Sequence, residues 1–117
     1  DPTGLIDLGN VFNGIHLIAA SSNMIGGATG NLVAGNNSTG VRLEQSSDNS
    51  IRNNVIGTNV TGIAALENGG SGIVIASSSH RNTAQSNTIG GNSNGIVVTT
   101  NANDNVIVGN TIGLGVD

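Results

Sequence analysis

The chain has 117 residues and a formal net charge of −4, with three Arg, no Lys and no Cys. That balance excludes a basic nucleic-acid footprint, a disulfide framework and a thiolate metal site, and 9% charged residues exclude a charge-rich disordered chain. One Phe, no Trp and no Tyr beside 19 Gly exclude a core built on aromatics, and no apolar run reaches the ~20 residues of a membrane-spanning helix.

In chain order, Asp1-Pro2-Thr3-Gly4 carries no signal-peptide pattern, and the segment to Asn13 reads as a loop. Gly14-Ile15-His16-Leu17 then opens a short alternating strand, and the same marker returns at Gly40-Val41-Arg42-Leu43, Gly72-Ile73-Val74-Ile75 and Gly95-Ile96-Val97-Val98. A polar turn follows each, and after it a second pattern, N-x-(apolar)-x-x-N-x-I-G. That pattern runs from Asn49 to Gly57, from Asn82 to Gly90 and from Asn105 to Gly113, with a looser copy from Asn23 through Asn31-Leu32-Val33. Period-two alternation is short and repeated, no helical period emerges, and one coil therefore reads as three short strands joined by turns.

Asn31 to Asn54 is 23 residues, Asn54 to Asn87 is 33 and Asn87 to Asn110 is 23. The longer step contains a protruding loop, Thr58 to Ser71. Thr61 to Ile73 aligns with Thr3 to Ile15 at a constant offset of about 58 residues, which divides the chain into two repeats, about 1–58 and 59–117, with long loops near 1–13 and 58–71. The tail from Ile112 to Asp117 matches the stretch Ile56 to Val60 that leads into the internal loop, so tail and head together would rebuild another such junction. The expectation is a whole number of repeats cut inside a loop, either a segment of a longer array or a subunit that stacks head to tail.

In a stack of parallel coils, each about 4.8 Å above the last, equivalent residues form columns. The inward columns are Ile15/Val41/Ile73/Ile96, Leu17/Leu43/Ile75/Val98, Ile25/Ile51/Ala84/Ile107 and Val33/Ile56/Ile89/Ile112, all aliphatic, with Ala84 the smallest member. His16/Arg42/Val74/Val97 faces outward. Asn31/Asn54/Asn87/Asn110 and Asn23/Asn49/Asn82/Asn105 form two asparagine ladders, for which left-handed backbone at the turns and amide bonds from coil to coil are expected. Arg81 falls between Asp48 and Asp104 in the column before one ladder, a surface ion-pair column.

With its G-I-x-(L/I/V) strands, its serine turns at Ser21-Ser22-Asn23 and Ser46-Ser47-Asp48-Asn49, and its N-x-I-x-x-N-x-I-G stretches, nearly the whole chain resembles the parallel β-helix repeats of the pectin-lyase-like superfamily. The loop Thr61 to Ile73 is similar to the T-G-x-x-x-L-x-N-G-G-x-G-I loops of bacterial surface-protein arrays. The resemblance implies an all-β, right-handed parallel β-helix of about four to five coils in an extracellular or cell-surface protein. Such repeats occur in lyases, hydrolases, epimerases, tailspikes and adhesins, so the fold does not choose the function.

Catalytic chemistry finds little footing. Asp48 and Asp104 share a column but lie two coils apart, roughly 9–10 Å, with Arg81 between them, so they cannot ligate one calcium ion. Glu44 and Asp48 are the nearest candidates for a carboxylate pair and read as solvated charges. His16 and His80 lack metal spacing, Val74 stands where a calcium-roll motif after Gly69-Gly70-Ser71-Gly72 needs Asp, and Leu32 and Val55 break the Thr88/Thr111 array that an ice-binding face needs. Asn36, Asn37 and Asn59 sit in N-x-S/T sequons, which an Asn-rich chain produces by chance. Phe12 is expected to cover the core edge under the first loop.

The expected function is structural. The chain reads as a β-solenoid subunit or repeat segment of an extracellular fibre or cell-surface array, with no catalytic residue, metal or cofactor. An adhesin-type or carbohydrate-binding β-helix module is the alternative, and a polysaccharide-processing enzyme ranks below it. Expected partners are further copies or tandem neighbours, then a glycan, with no nucleic acid and no membrane insertion. The candidate head-to-tail contacts are Thr3, Leu5, Leu8 and Phe12 at one end and Ile112, Leu114 and Val116 at the other.

Overall fold

A computed structural model describes residues 3–99 and 101–113. The first coil holds β1 (Ile15–Ile18), β2 (Met24–Gly26) and β3 (Leu32–Val33), and the second β4 (Val41–Glu44), β5 (Ser50–Arg52) and β6 (Val55–Ile56). The third holds β7 (Ser71–Ala76), β8 (Thr83–Gln85) and β9 (Thr88–Ile89), and the fourth β10 (Asn94–Val98), β11 (Val106–Val108) and β12 (Thr111–Ile112). Each strand pairs in parallel with its counterpart in the neighbouring coil, which gives three four-stranded sheets ordered β1-β4-β7-β10, β2-β5-β8-β11 and β3-β6-β9-β12. The described residues form a parallel β-solenoid of four coils.

The register puts like on like. Ile15 pairs with Val41, Val41 with Ile73 and Ile73 with Ile96, and the other three inward columns align in the same way. Val41, Leu43, Ile51, Ile56, Ile73, Ile75, Ala84 and Ile89 of the two inner coils are fully buried. Among the described residues this core closes with Ile, Val, Leu and Ala alone, each packed against another aliphatic side chain of the neighbouring coil.

The glycine that opens the apolar run of each first-sheet strand is a matter of space. A Cβ at Gly72 would lie 2.6 Å from Ile89 Cγ2 and 2.8 Å from the Gly95 carbonyl oxygen; one at Gly40 would lie 2.8 Å from Ile56 Cγ2 and 2.7 Å from the Gly72 carbonyl oxygen. The third sheet's isoleucines occupy the volume a side chain would take, so the corner between the third and first sheets closes tightly.

Two sequence expectations need correction. The left-handed residues at the corners are not the ladder asparagines but the residues before them: Ser22, Asp48, Arg81 and Asp104 ahead of one ladder, Gly30, Asn53, Ser86 and Gly109 ahead of the other, all with φ between 54° and 72°. The positive φ turns the chain so that the next residue, the asparagine, points into the stack. Phe12 does not cover the core edge; it is 76% exposed. The inward position at that corner belongs to Asn10, whose N–H and amide both donate to Asn36 Oδ1, while Ser38 N–H takes the Phe12 carbonyl and holds the segment extended along the coil above it.

The long loop is internally tied. Thr58 and Ala65 form an antiparallel bridge, and Asn59 Oδ1 accepts from Thr61 Oγ1 at 2.8 Å and from the N–H groups of Ile63 and Ala64. Its outer residues Val60 and Ile63 are exposed.

Gly72→Ala should destabilise the fold by about 2 kcal/mol, the usual scale of overpacking against backbone and a branched side chain. Chemical denaturation measures it, and a change below about 0.5 kcal/mol would show that the corner has slack.

Candidate functional site

The largest buried polar side chains among the described residues are stacked asparagines. In the first column Nδ2 of Asn23, Asn49 and Asn82 donates to Oδ1 of the asparagine one coil on, ending at Asn105, over 3.1, 3.0 and 3.1 Å. The second runs Asn31, Asn54, Asn87, Asn110 over 3.1, 3.0 and 2.9 Å. A third, which the sequence reading did not anticipate, runs Asn10, Asn36, Asn68, Asn92 over 3.1, 2.7 and 2.9 Å. Its sequence signal is an Asn a few residues before each first-sheet glycine: Asn10 and Gly14, Asn36 and Gly40, Asn68 and Gly72, Asn92 and Gly95. One residue fewer in the last interval hides the pattern. Asn36, noted in the sequence as part of a sequon, is a buried member of this column.

An inner asparagine uses its whole bonding capacity. Asn87 Oδ1 accepts both the backbone N–H and the Nδ2 of Asn54, each at 3.0 Å; its own Nδ2 donates to Asn110 Oδ1 and to the Ile51 carbonyl, each at 2.9 Å. Asn54, Asn49 and Asn82 make the same four contacts. All three columns therefore point one way, with the donor on one coil and the acceptor on the next.

That direction makes the two ends of the stack chemically different. At the first coil, Oδ1 of Asn10, Asn23 and Asn31 has no donor among the described residues. At the fourth coil, the backbone N–H of Asn92, Asn105 and Asn110, and one Nδ2 proton each of Asn105 and Asn110, have no acceptor among the described residues. The core ends differ as well. Ile107 and Ile112 are 45% and 49% exposed on the fourth coil, whereas Ile25 and Val33 are 7% exposed on the first.

Of the candidate contact residues, Thr3, Leu5, Leu8 and Phe12 lie exposed on the segment leading into the first coil, and Gly4 within it packs beside Leu32 and Val60. Ile112 lies at the rim of the fourth coil. Leu114 and Val116 lie outside the described residues.

The charged groups sit on the flanks. Arg81 grips Asp48 with two bonds, Nε to Oδ1 at 2.8 Å and Nη2 to Oδ2 at 2.9 Å, and holds the Asp48 carboxyl below the ordinary aspartate range. Asp104 adds a weaker attraction to the same guanidinium. Arg42, and then His16, lower Glu44 from the outward face of the first sheet. Met24 Sδ faces Arg52 Nη2 at 3.4 Å, and Nε of that arginine is buried without a partner. Among the described residues no three of His, Cys, Asp or Glu come together as metal ligands. Glu44 and Asp48 are thus tied to arginines on the surface.

Residues 7–113 match the sequence profile of one family, described as periplasmic copper-binding protein (NosD). No curated protein and no solved structure matches the chain.

The depth of an asparagine in its column sets the cost of losing it. Asn87→Ala leaves donors of Asn54 and a carbonyl of Ile51 unpaired in the interior and should cost about 3 kcal/mol or more, while Asn31→Ala at the first coil removes one exposed amide bond and should cost about 1 kcal/mol. Equal losses in urea denaturation would contradict the ladder account. Asp48, depressed in the folded state, contributes stability above its unfolded pKa that is lost as pH falls through its folded pKa. Arg81→Ala should raise the Asp48 carboxyl to the ordinary range in an NMR titration; an unchanged midpoint would show that the pair does not form in solution.

Proposed function

Because the chain belongs to the NosD family of periplasmic copper-binding proteins, we propose that its coils are a structural β-solenoid segment of an extracytoplasmic protein, extended head to tail as a subunit of a fibre or a repeat of a surface array. What supports this is the unbroken repeat: three parallel sheets and three asparagine columns pass from coil to coil with the same donor and acceptor at every step.

The family's description brings copper into question, and the donors of this chain do not fit a copper site. Copper sites draw on Cys, Met and clustered His. This chain has no Cys and one Met. His16 is held between Asn13 and Glu44, and His80 Nδ1 accepts the Asn103 N–H. A scaffold role needs none of these ligands.

A second reading has its own observation. Leu5, Ile6, Leu8, Val11, Phe12, Val60 and Ile63 are all exposed on the two long segments beside the first coils, a concentration of apolar surface that suits an adhesin-type or carbohydrate-binding module.

Negative-stain electron microscopy of the untagged 117-residue chain over a concentration series separates the readings. The structural proposal expects rods that lengthen with concentration. Uniform small particles at every concentration would contradict it and favour the binding module.

A further inference from the structure

We propose that Met24 is a site of reversible oxidation whose sulfoxide is held by the Arg52 guanidinium, a redox-sensitive tie between the first coil and the second. The pair stands on the outward face of the second sheet, between two described coils, and owes nothing to a group left open at either end of the stack.

Along β2 the outward positions are Met24 and Gly26, with Ile25 buried between them. Met24 is paired with Ser50 of the next coil and Gly26 with Arg52. Gly26 has no side chain to lay beside Arg52, and the long, unbranched Met24 reaches across that gap from the neighbouring outward position. Arg52 Nη2 donates to Met24 Sδ at 3.4 Å. A Cβ on Gly27 would lie 3.8 Å from the same sulfur, so the glycine turn borders the thioether on its other side.

Arg52 is the cation of this chain that lacks a strong partner. Arg42 holds Glu44 and Arg81 holds Asp48, whereas no carboxylate among the described residues pairs with Arg52, and its Nε is buried without a partner. A thioether sulfur is a weak acceptor, so the contact with Met24 returns little. A sulfoxide puts a polar oxygen on that same sulfur. Its bond to the guanidinium is charge-assisted, about twice as strong as one between neutral groups.

The sulfur is also accessible. Met24 is 56% exposed, and with no Cys in the chain it is the only sulfur of the 117 residues. Ser50 and Thr83 continue its column with a coil on either side, and both stay half-buried, so this outward column keeps contact with solvent inside a longer stack. The oxidant is a peroxide. A sulfur lone pair attacks one peroxide oxygen, and the O–O bond breaks as the S–O bond forms. The departing hydroxide takes the proton of the transferred hydroxyl and leaves as water. Sulfur gives up two electrons and the peroxide accepts them. In a packed core this change disrupts the fold, because a polar group enters an apolar site. Beside an under-satisfied guanidinium it adds a bond instead.

Hydrogen peroxide treatment of the folded chain, followed by intact-mass spectrometry, should add one oxygen that methionine sulfoxide reductases remove, and Met24→Leu should take up none. Urea midpoints of the reduced and oxidised chain are then compared with those of Arg52→Leu, which keeps an apolar neighbour for Met24 and removes the donors. Oxidation should raise the midpoint of the unsubstituted chain by about 0.5 M, the scale of one charge-assisted hydrogen bond. It should leave that of Arg52→Leu unchanged or lower. NMR of the unsubstituted chain gives a reading that does not depend on how well the variant folds: the guanidinium proton signals of Arg52 should shift and exchange more slowly after oxidation. A midpoint that falls on oxidation, equal shifts in both chains, or unmoved Arg52 signals would overturn the pairing. A folded chain that takes up no oxygen would overturn the site itself.

Discussion

The structure depends on one interaction repeated along three columns, an asparagine side chain that bonds to the coil above and the coil below at once. A buried amide has two donor protons and two acceptor sites, and leaving any of them unpaired in an apolar stack costs about 1–3 kcal/mol. Asn54 and Asn87 satisfy all four only because their neighbours are also asparagines in the same conformation. The requirement propagates. Each ladder position fixes the left-handed residue before it at two corners, the packed glycine beside the third, and the two- to six-residue strands between. A coil cannot change its path without breaking bonds in the coil on either side, so length is gained or lost only where the chain leaves the stack, as in the tied loop that Asn59 organises.

The same logic separates what could be read in the sequence from what could not. The aliphatic columns and two of the asparagine columns were readable because they lie inside strands and tight turns whose length is the same in the last three coils, where residue identity and spacing repeat together. The third column lies in the segments that lead into the first sheet, where Asn92 stands one residue closer to its glycine than Asn36 or Asn68 does, so alignment by spacing missed it. Phe12 was expected to cover the core edge under the first loop, yet it is exposed and the inward place is held by Asn10, whose amide joins the third column. The left-handed conformation was assigned to asparagine from its intrinsic tolerance, whereas the corner needs it one residue earlier, where Asp48 and Arg81 adopt it and also pair across coils. Propensity named the right turns and the wrong residue within them.

Catalytic and metal sites need several reactive side chains brought to one place. A solenoid does the opposite with outward residues, placing each beside its counterpart one coil away, so a site requires the same chemistry in consecutive repeats or a loop that folds over them. Here the outward columns vary from coil to coil, as in His16, Arg42, Val74 and Val97, and their charges neutralise one another in pairs. Membership in a family described by copper binding therefore transfers the coil architecture more directly than the metal. What the chain does repeat faithfully is its stacking chemistry, and that chemistry reaches full satisfaction only when a coil lies on both sides.

The most direct test of the account is amide hydrogen exchange of the ladder asparagines, resolved by NMR in the dilute chain. The backbone N–H groups of Asn49, Asn54 and Asn82, each bonded to Oδ1 of the next coil, should be strongly protected, and those of Asn105 and Asn110 should exchange freely. Protection of Asn105 and Asn110 equal to that of Asn54 would contradict the claim that every column runs one way, with the donor on one coil and the acceptor on the next.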